Sequence, residues 1–366
     1  MKIAFLLSDI TNIGGIERVT TMLASSFAQH KELQIEIVSL FHGRNEINYP
    51  LQECIKITYL SDTSNARRPH SMMRIFKLLT LRTALKRHLQ NNKYDYIIAQ
   101  AFPLVFLLST CCQRLDNVYA VEHVHCRYYN SIIRHIRNKI YTRVKNIIVL
   151  TDKDKAFFDQ YFPTNKTIKI SNPCDVNDIY NSKLENKVII SVGRLEYQKG
   201  YDTLIDVFRM VNMRYPDWQL KIYGDGTLRH DLQAQITKLK LNDTVELCGT
   251  TNDIKSCLRG ASIFVASSRF EGFHMGLVEA MSQGVPCISF DCPNGPSDII
   301  VHGKNGLLVE NQDTQALHDA LIYLIERPDK RRAMGKCALE SVNRFSTATI
   351  ARKWIGLLKT SKLNYV

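Results

Sequence analysis

Two glutamates eight residues apart, Glu271 and Glu279, lie in the segment SSRFEGFHMGLVEAMSQ (Ser267–Gln283) and are the carboxylates best placed to do chemistry. Glu271 falls in a glycine-containing loop, Glu279 in the helix that follows. On a continuous helix that spacing is about 12 Å. Carboxylates that cleave a glycosidic bond as acid and partner stand roughly 5 to 10 Å apart. The two are therefore read as contacts at two positions along one elongated ligand. Between them, the helix N-terminus near Met275–Leu277 offers free N–H groups and a positive dipole end to a phosphate. Val278, Ala280 and Met281 flank Glu279 and argue against a freely solvated site.

Two further segments carry ligand-binding chemistry. SVGRLEYQKG (Ser191–Gly200) places Arg194 and Lys199 five residues apart after a strand-ending Gly193. An arginine grips phosphate oxygens with a planar fork, and a lysine adds a mobile point charge. DITNIGGI (Asp9–Ile16) offers Gly14 and Gly15 at the start of a helix, where backbone can approach a ligand. It is not G-x-G-x-x-G, and no acidic residue follows at ribose spacing after the next strand, which argues against a dinucleotide site.

The elements that must position these residues alternate along the chain. Strands are read at Ile3–Leu7, Ile35–Leu40, Ile57–Leu60, Tyr96–Gln100, Val118–Val121 and Ile147–Leu150, then at Val188–Val192, Gln219–Tyr223, Val245–Leu247, Ile263–Ala266, Pro286–Phe290 and Gly306–Val309. Helical periodicity marks Gly15–His30, Met72–Asn91, Tyr201–Arg214, Leu228–Leu239, Met275–Gln283 and Thr314–Glu326. Continuous apolar strands separated by amphipathic helices predict parallel sheets covered on both faces. With 366 residues, the expectation is two doubly wound α/β domains facing across a cleft. The domains are read as 1–172 and 187–345, joined by a polar linker, 173–186. A terminal helix, 346–366, has Ile350, Trp354, Leu357 and Leu358 on one face and could cross back to the first domain.

Composition narrows the class. The 10 cysteines form no C-x-x-C pair and no zinc spacing, so they read as small buried hydrophobes in a reducing compartment, which predicts the cytoplasm. The richest apolar run, Ala101–Cys112, holds Pro103 and is too short to span a bilayer. MKIAFLLSDI reads as a first strand rather than a signal peptide. Of the +13 net charge, the first 171 residues hold most, with 24 Lys+Arg against 13 Asp+Glu. Between Asp62 and Asp95 stand Arg67, Arg68, Arg74, Lys77, Arg82, Lys86, Arg87 and Lys93 and no acid. Apolar residues from Met72 to Leu89 are interleaved with them. A second acid-free stretch, His123–Thr151, adds Arg127, Arg134, Arg137, Lys139, Arg143 and Lys145. Basic amphipathic segments predict docking on an anionic membrane surface. The stretches lack the interleaved aromatics of single-strand binders, so nucleic acid is not expected as a partner.

The pattern Glu271-x7-Glu279 within EGFHMGLVEAMSQGVPCIS resembles the retaining glycosyltransferase family 4, of the two-domain GT-B fold. SVGRLEYQKG, the loop Gly224–Arg229, Val245–Thr250 and DCPNGPSDIIVHGKNGLLVE (Asp291–Glu310) extend the resemblance over the second half. In the first half, Gly14-Gly15 and Glu122-His123 carry it more thinly. The resemblance implies that Arg194 and Lys199 bind the donor diphosphate without a metal or other cofactor. It implies that Glu271 contacts the donor sugar and Glu279 the ribose hydroxyls. Backbone amides of Phe273, His274, Met275, Gly276 and Leu277 would meet the sugar hydroxyls and the diphosphate, and Gly15 would face the diphosphate from the first domain. His123 matches a histidine near sugar and acceptor, with His125 as the alternative. The family has a small or apolar residue where this chain has His274.

The DCPNGPSDII block is similar to members that build bacterial surface polysaccharides and lipid-linked oligosaccharides. That likeness implies a UDP-hexose or UDP-N-acetylhexosamine donor and a saccharide acceptor, lipid-linked at the inner membrane face, where the protein would be peripheral. A GDP-mannose-dependent mannosyltransferase of the same fold is the alternative. A nucleotide-sugar epimerase would need general-base carboxylates and histidines around the sugar, and a non-enzymatic nucleic-acid-binding protein would be expected to show a helix-turn-helix or RNA-binding motif, which the sequence lacks.

Overall fold

The computed structural model describes residues 1–44, 46–63, 77–176 and 178–363. Arg67, Arg68, Arg74 and the apolar residues from Met72 to Phe76 lie outside the described residues. The chain divides into two compact units: Met1–Pro173 with Thr347–Val366, and Cys174–Ser346.

Among the described residues, unit 1 is built on seven parallel strands: β1 (Lys2–Asp9), β2 (Gln34–Phe41), β3 (Lys56–Tyr59), β4 (Tyr96–Ala99), β5 (Leu115–Glu122), β6 (Val144–Val149) and β7 (Thr167–Lys169). Their order is β3-β2-β1-β4-β5-β6-β7. β1 and β4 are apolar almost throughout because helices cover both faces of the sheet. β7, only three residues long, escapes the sequence reading because so short a strand has no periodicity to detect. Ala101–Cys112 is accounted for by helix Phe102–Cys111, with Pro103 in its first turn, where its missing N–H costs nothing. The expected helix Met72–Asn91 is, within the described residues, interrupted at Leu81 and resumes as Arg82–Asn91.

The terminal helix Thr347–Leu363 belongs to unit 1. Trp354 stands edge-on to Tyr119 at 6.0 Å, and the Tyr119 hydroxyl donates to Ser361 Oγ at 2.8 Å. The helix thus packs beside Gly15–Ala28 on the sheet.

Among the described residues, unit 2 has six parallel strands: β8 (Val188–Val192), β9 (Gln219–Tyr223), β10 (Val245–Gly249), β11 (Ile263–Ala266), β12 (Cys287–Phe290) and β13 (Gly306–Val309). Their order is β10-β9-β8-β11-β12-β13. Leu204, Ile205, Phe208 and Val211 of helix Tyr201–Arg214 pack into the core with Ile189, Leu220 and Ile222 of the sheet. The polar segment read as a linker is held by this unit: Tyr180 and Ser182 donate backbone N–H groups to the carbonyls of Ser282 and Gln283.

Candidate functional site

In unit 2 the chain leaves β8 towards β9 on one side and later enters β11 on the other. Loops leaving the carboxyl ends of two such strands diverge, and open α/β sheets bind ligands at that point. The loops are 193–200 and 267–274, the two that the sequence marks by Arg194, Lys199 and Glu271.

The loops are laced together. Ser267 Oγ donates to the Lys199 carbonyl at 2.9 Å, the Arg269 N–H to the Gln198 carbonyl at 2.8 Å, and Gln198 Nε2 to the Phe270 carbonyl at 3.0 Å. Gly200 has φ +64°, and a Cβ there would stand 2.2 Å from the Ser267 carbonyl oxygen, so both backbone conformation and space demand glycine. Arg269 clasps both Asp202 oxygens, at 3.0 and 2.6 Å, and lies over the Tyr197 ring.

Glu271 is buried, and the two loops supply its donors. Lys199 Nζ and Ser268 Oγ both donate to Oε1 at 2.6 Å, and Gln198 Nε2 reaches Oε2 at 3.3 Å. Burial by itself would raise its pKa. The Lys199 charge, then His274, and the hydrogen bonds from Lys199 and Ser268 outweigh that and hold the carboxyl down at about 2. Gly193 makes room for this: a Cβ there would stand 2.9 Å from Lys199 Cε. Ser268 and Gln198 were not picked out from the sequence. Ser268 sits three residues before Glu271, a spacing common to many solvated turns and so uninformative alone.

His274 caps the helix Met275–Ser282. Its Nδ1 accepts from the Leu277 N–H at 3.3 Å, which assigns the ring proton to Nε2, 3.6 Å from Glu271 Oε1. Burial and then the Lys199 charge push its pKa down to about 4, so the ring is neutral at physiological pH. The Leu277 amide, which also points at the His274 carbonyl at 3.1 Å, is engaged inside the helix. Of the expected amide donors, Phe273, His274, Met275 and Gly276 have no backbone carbonyl partner among the described residues. The side chain of Phe273 faces inward, edge-on to Phe345 at 5.5 Å. Gly295, at φ +100°, lets the 292–298 turn close over this loop: a Cβ there would stand 3.3 Å from the His274 nitrogen. Glu279 is buried further along the same helix. Arg194 and Lys199, read as a pair, differ in state. Lys199 is bound to Glu271, whereas Arg194 is exposed and its side chain has no partner among the described residues.

In unit 1, His123 follows β5 and its Nε2 lies 2.6 Å from Gln100 Oε1, at the end of β4. Burial pushes its pKa down to about 4. His125 is half-buried, its pKa lowered mainly by burial, with its ring edge-on to Tyr128. The loop that carries both is anchored from beneath. Tyr141 donates to Glu122 Oε1 at 2.6 Å, and Asp154 accepts from the Cys126 N–H and the Thr151 hydroxyl. Arg137, counted among the surface cations from the sequence, is fully buried 3.6 Å from Glu122 and over the Phe158 ring. At the start of helix Gly15–Ala28, a Cβ on Gly14 would meet the Glu17 carboxylate at 2.5 Å, while Gly15 opens on free space. Sequence reasoning missed Gln100, which looks like any polar residue at a strand end.

Two family models match the chain, one after the other. Residues 13–178 match "Glycosyltransferase Family 4" and residues 176–340 match "Glycosyl transferases group 1". The chain is a GT-B glycosyltransferase of this family. Among relatives, the amylovoran biosynthesis glycosyltransferase of Erwinia amylovora is 27% identical over 98% of the chain and 99% of its own length. A Campylobacter jejuni transferase is 25% identical over 99% of both; it is named for adding N-acetyl-D-galactosamine to a diphosphoundecaprenol-linked saccharide. In fold, the Anabaena protein HepE, crystallised with UDP and glucose, superposes with a TM-score of 0.81 at 20% identity, over 98% of this chain and 99% of that one. No described helix of this glycosyltransferase is long and apolar enough to cross a membrane.

Proposed function

We propose that this glycosyltransferase moves a hexose or N-acetylhexosamine from a UDP-sugar to a lipid-linked saccharide acceptor in bacterial cell-surface polysaccharide assembly. In this reading it retains anomeric configuration and uses no divalent metal. The observation that carries the reading is the ion pair Lys199–Glu271, held by Ser268 and Gln198 at the switch point of unit 2. A leaving nucleoside diphosphate needs cations, and a sugar ring needs a fixed carboxylate beside its hydroxyls. One loop supplies each.

Lys199, Arg194 and the amides of Met275 and Gly276 would take the diphosphate, with Lys199 shared between phosphate and Glu271. Glu271, ionised at any working pH, would accept from donor-sugar hydroxyls, and Glu279 from the ribose. The bond from anomeric carbon to diphosphate oxygen breaks. The acceptor hydroxyl oxygen bonds to that carbon on the same face, and its proton goes to the departing diphosphate. No protein nucleophile is required. His123, neutral at pH 7, would hydrogen-bond a hydroxyl rather than donate charge. The acceptor for which the Campylobacter jejuni relative is named, a saccharide on diphosphoundecaprenol, supports the acceptor class.

The test is nucleoside diphosphate release from UDP-, GDP- and ADP-sugars, with EDTA present and absent, and the anomer of the product read by NMR. UDP-sugars are expected to turn over, unaffected by EDTA, with an axial donor giving an axial product. Preference for GDP-mannose, loss of rate in EDTA or an inverted product would each overturn its part of the reading.

A further inference from the structure

Helix Ser131–Tyr141 has two unlike faces. One packs into unit 1 through Arg137, Ile140 and Tyr141. The other carries Ser131, Ile132, His135, Ile136 and Lys139, all exposed. Ile132 is 71% and Ile136 41% exposed. One turn apart, they form a continuous apolar strip left in water. The chain around it has no acidic residue from His123 to Thr151; Arg127 and Lys139 are exposed and Arg134 is half-buried, while the Arg143 guanidinium donates to the carbonyls of Cys112 and Gln113. A small anion or a nucleic acid would engage the cations and leave both isoleucines wet. An anionic bilayer takes both features at once, the apolar side chains entering the acyl boundary while the cations meet headgroups.

We propose that this helix face enters an anionic lipid surface, with Ile132 and Ile136 inserted and Arg127 and Lys139 on the headgroups. The inference rests on the membrane-linked acceptor reading and gives its contact a place in the fold. That place differs from the basic stretch before Asp95, on which the sequence alone would put most weight. Insertion also predicts binding that salt weakens but does not abolish, because only the cationic part is screened.

The full chain is tested by co-sedimentation with vesicles of phosphatidylglycerol and phosphatidylcholine, at low and high salt, with donor turnover on a water-soluble acceptor measured in parallel. Ile132→Asp with Ile136→Asp is expected to weaken vesicle binding at least about tenfold and to leave turnover unchanged, since both side chains are already in water. Ile132→Trp is expected to add a fluorescence component that shifts to the blue on vesicles. If the double variant binds vesicles like the parent while Lys86→Glu with Arg87→Glu does not, the membrane reading stands and this placement is wrong. If the parent itself fails to bind, both fall. If the double variant instead splits a dimer in light scattering, with vesicle binding intact, the face is a contact between copies and the proposal is overturned.

Discussion

The carboxyl edges of the two sheets are held in different ways. In unit 2, loops 193–200 and 267–274 bond each other through main chain and side chain, and every oxygen of Glu271 has a donor. In unit 1 the loop bearing His123 is held by Asp154, which accepts from the Cys126 N–H, and by Glu122 before it, which accepts from Tyr141, while Gly15 opens on free space and Ile132 is exposed. The first arrangement holds charges in place before any ligand arrives, as the proposed diphosphate leaving group would require. The contrast can be broken by treating each edge in turn.

The largest effect is expected at Lys199. Lys199→Ala removes the diphosphate cation and should lower kcat by about 10³-fold or more, roughly 4 kcal/mol of barrier. It also strands the buried Glu271 charge, so unfolding stability should fall by about 3 kcal/mol. Adding Glu271→Gln neutralises the stranded charge. The double variant should recover most of the stability and none of the activity. Denaturant melts and initial rates on the four proteins of the cycle check this. If stability and activity recovered together, the pair would be structural alone.

His123→Ala should cost less, about 10²-fold in kcat, with little loss of stability because the loop's anchors lie elsewhere. Retention of nearly full activity would shift the role to His125.

Next comes pH. His274 and His123 have folded pKa values near 4 against an ordinary 6.5. Between those values the unfolded chain binds protons that the folded chain refuses. Stability is therefore fully present above pH 6.5 and declines as pH falls towards 4, by at most about 1.4 kcal/mol per pH unit for each histidine. Glu271 adds to the slope only at the bottom of that range, where an unfolded glutamate near 4.5 begins to bind protons that the folded group, held near 2, refuses. Its contribution is present above about 4.5 and lost between 4.5 and 2. His274→Asn should keep the helix cap through Oδ1 and flatten the slope between pH 6.5 and 4. An unchanged slope would place the titration elsewhere.

These expectations also show what the sequence made legible. β8 and β11 read directly as apolar runs, and the loops after them as phosphate and carboxylate sites, because strand-to-helix turns in doubly wound sheets have both a pattern and a place. That Lys199 lies on Glu271 rather than beside Arg194 was not legible. It depends on the left-handed Gly200 and on Gly193 leaving space for a lysine to fold back. The burial of Arg137 was hidden for a related reason. An arginine in an acid-free stretch reads as surface charge, and its partner Glu122 is fifteen residues away on another element. His274 as a cap was obscured because histidine is a rare choice where serine or aspartate would announce a helix start.

The smallest effect sharpens the division of labour within unit 2. If Glu271 serves the sugar and Glu279 the ribose, they should fail in different constants. Glu279 would make a contact that is the same before and during transfer, so Glu279→Gln should raise KM about fivefold to tenfold and leave kcat near its parent value. A donor lacking the ribose 2′-hydroxyl should show a similar rise with the parent enzyme. Combining that donor with Glu279→Gln should then give less than the product of the two effects, since each removes one end of the same hydrogen bond. Independent, multiplying effects would mean that Glu279, buried on its helix, supports the loop rather than the nucleotide.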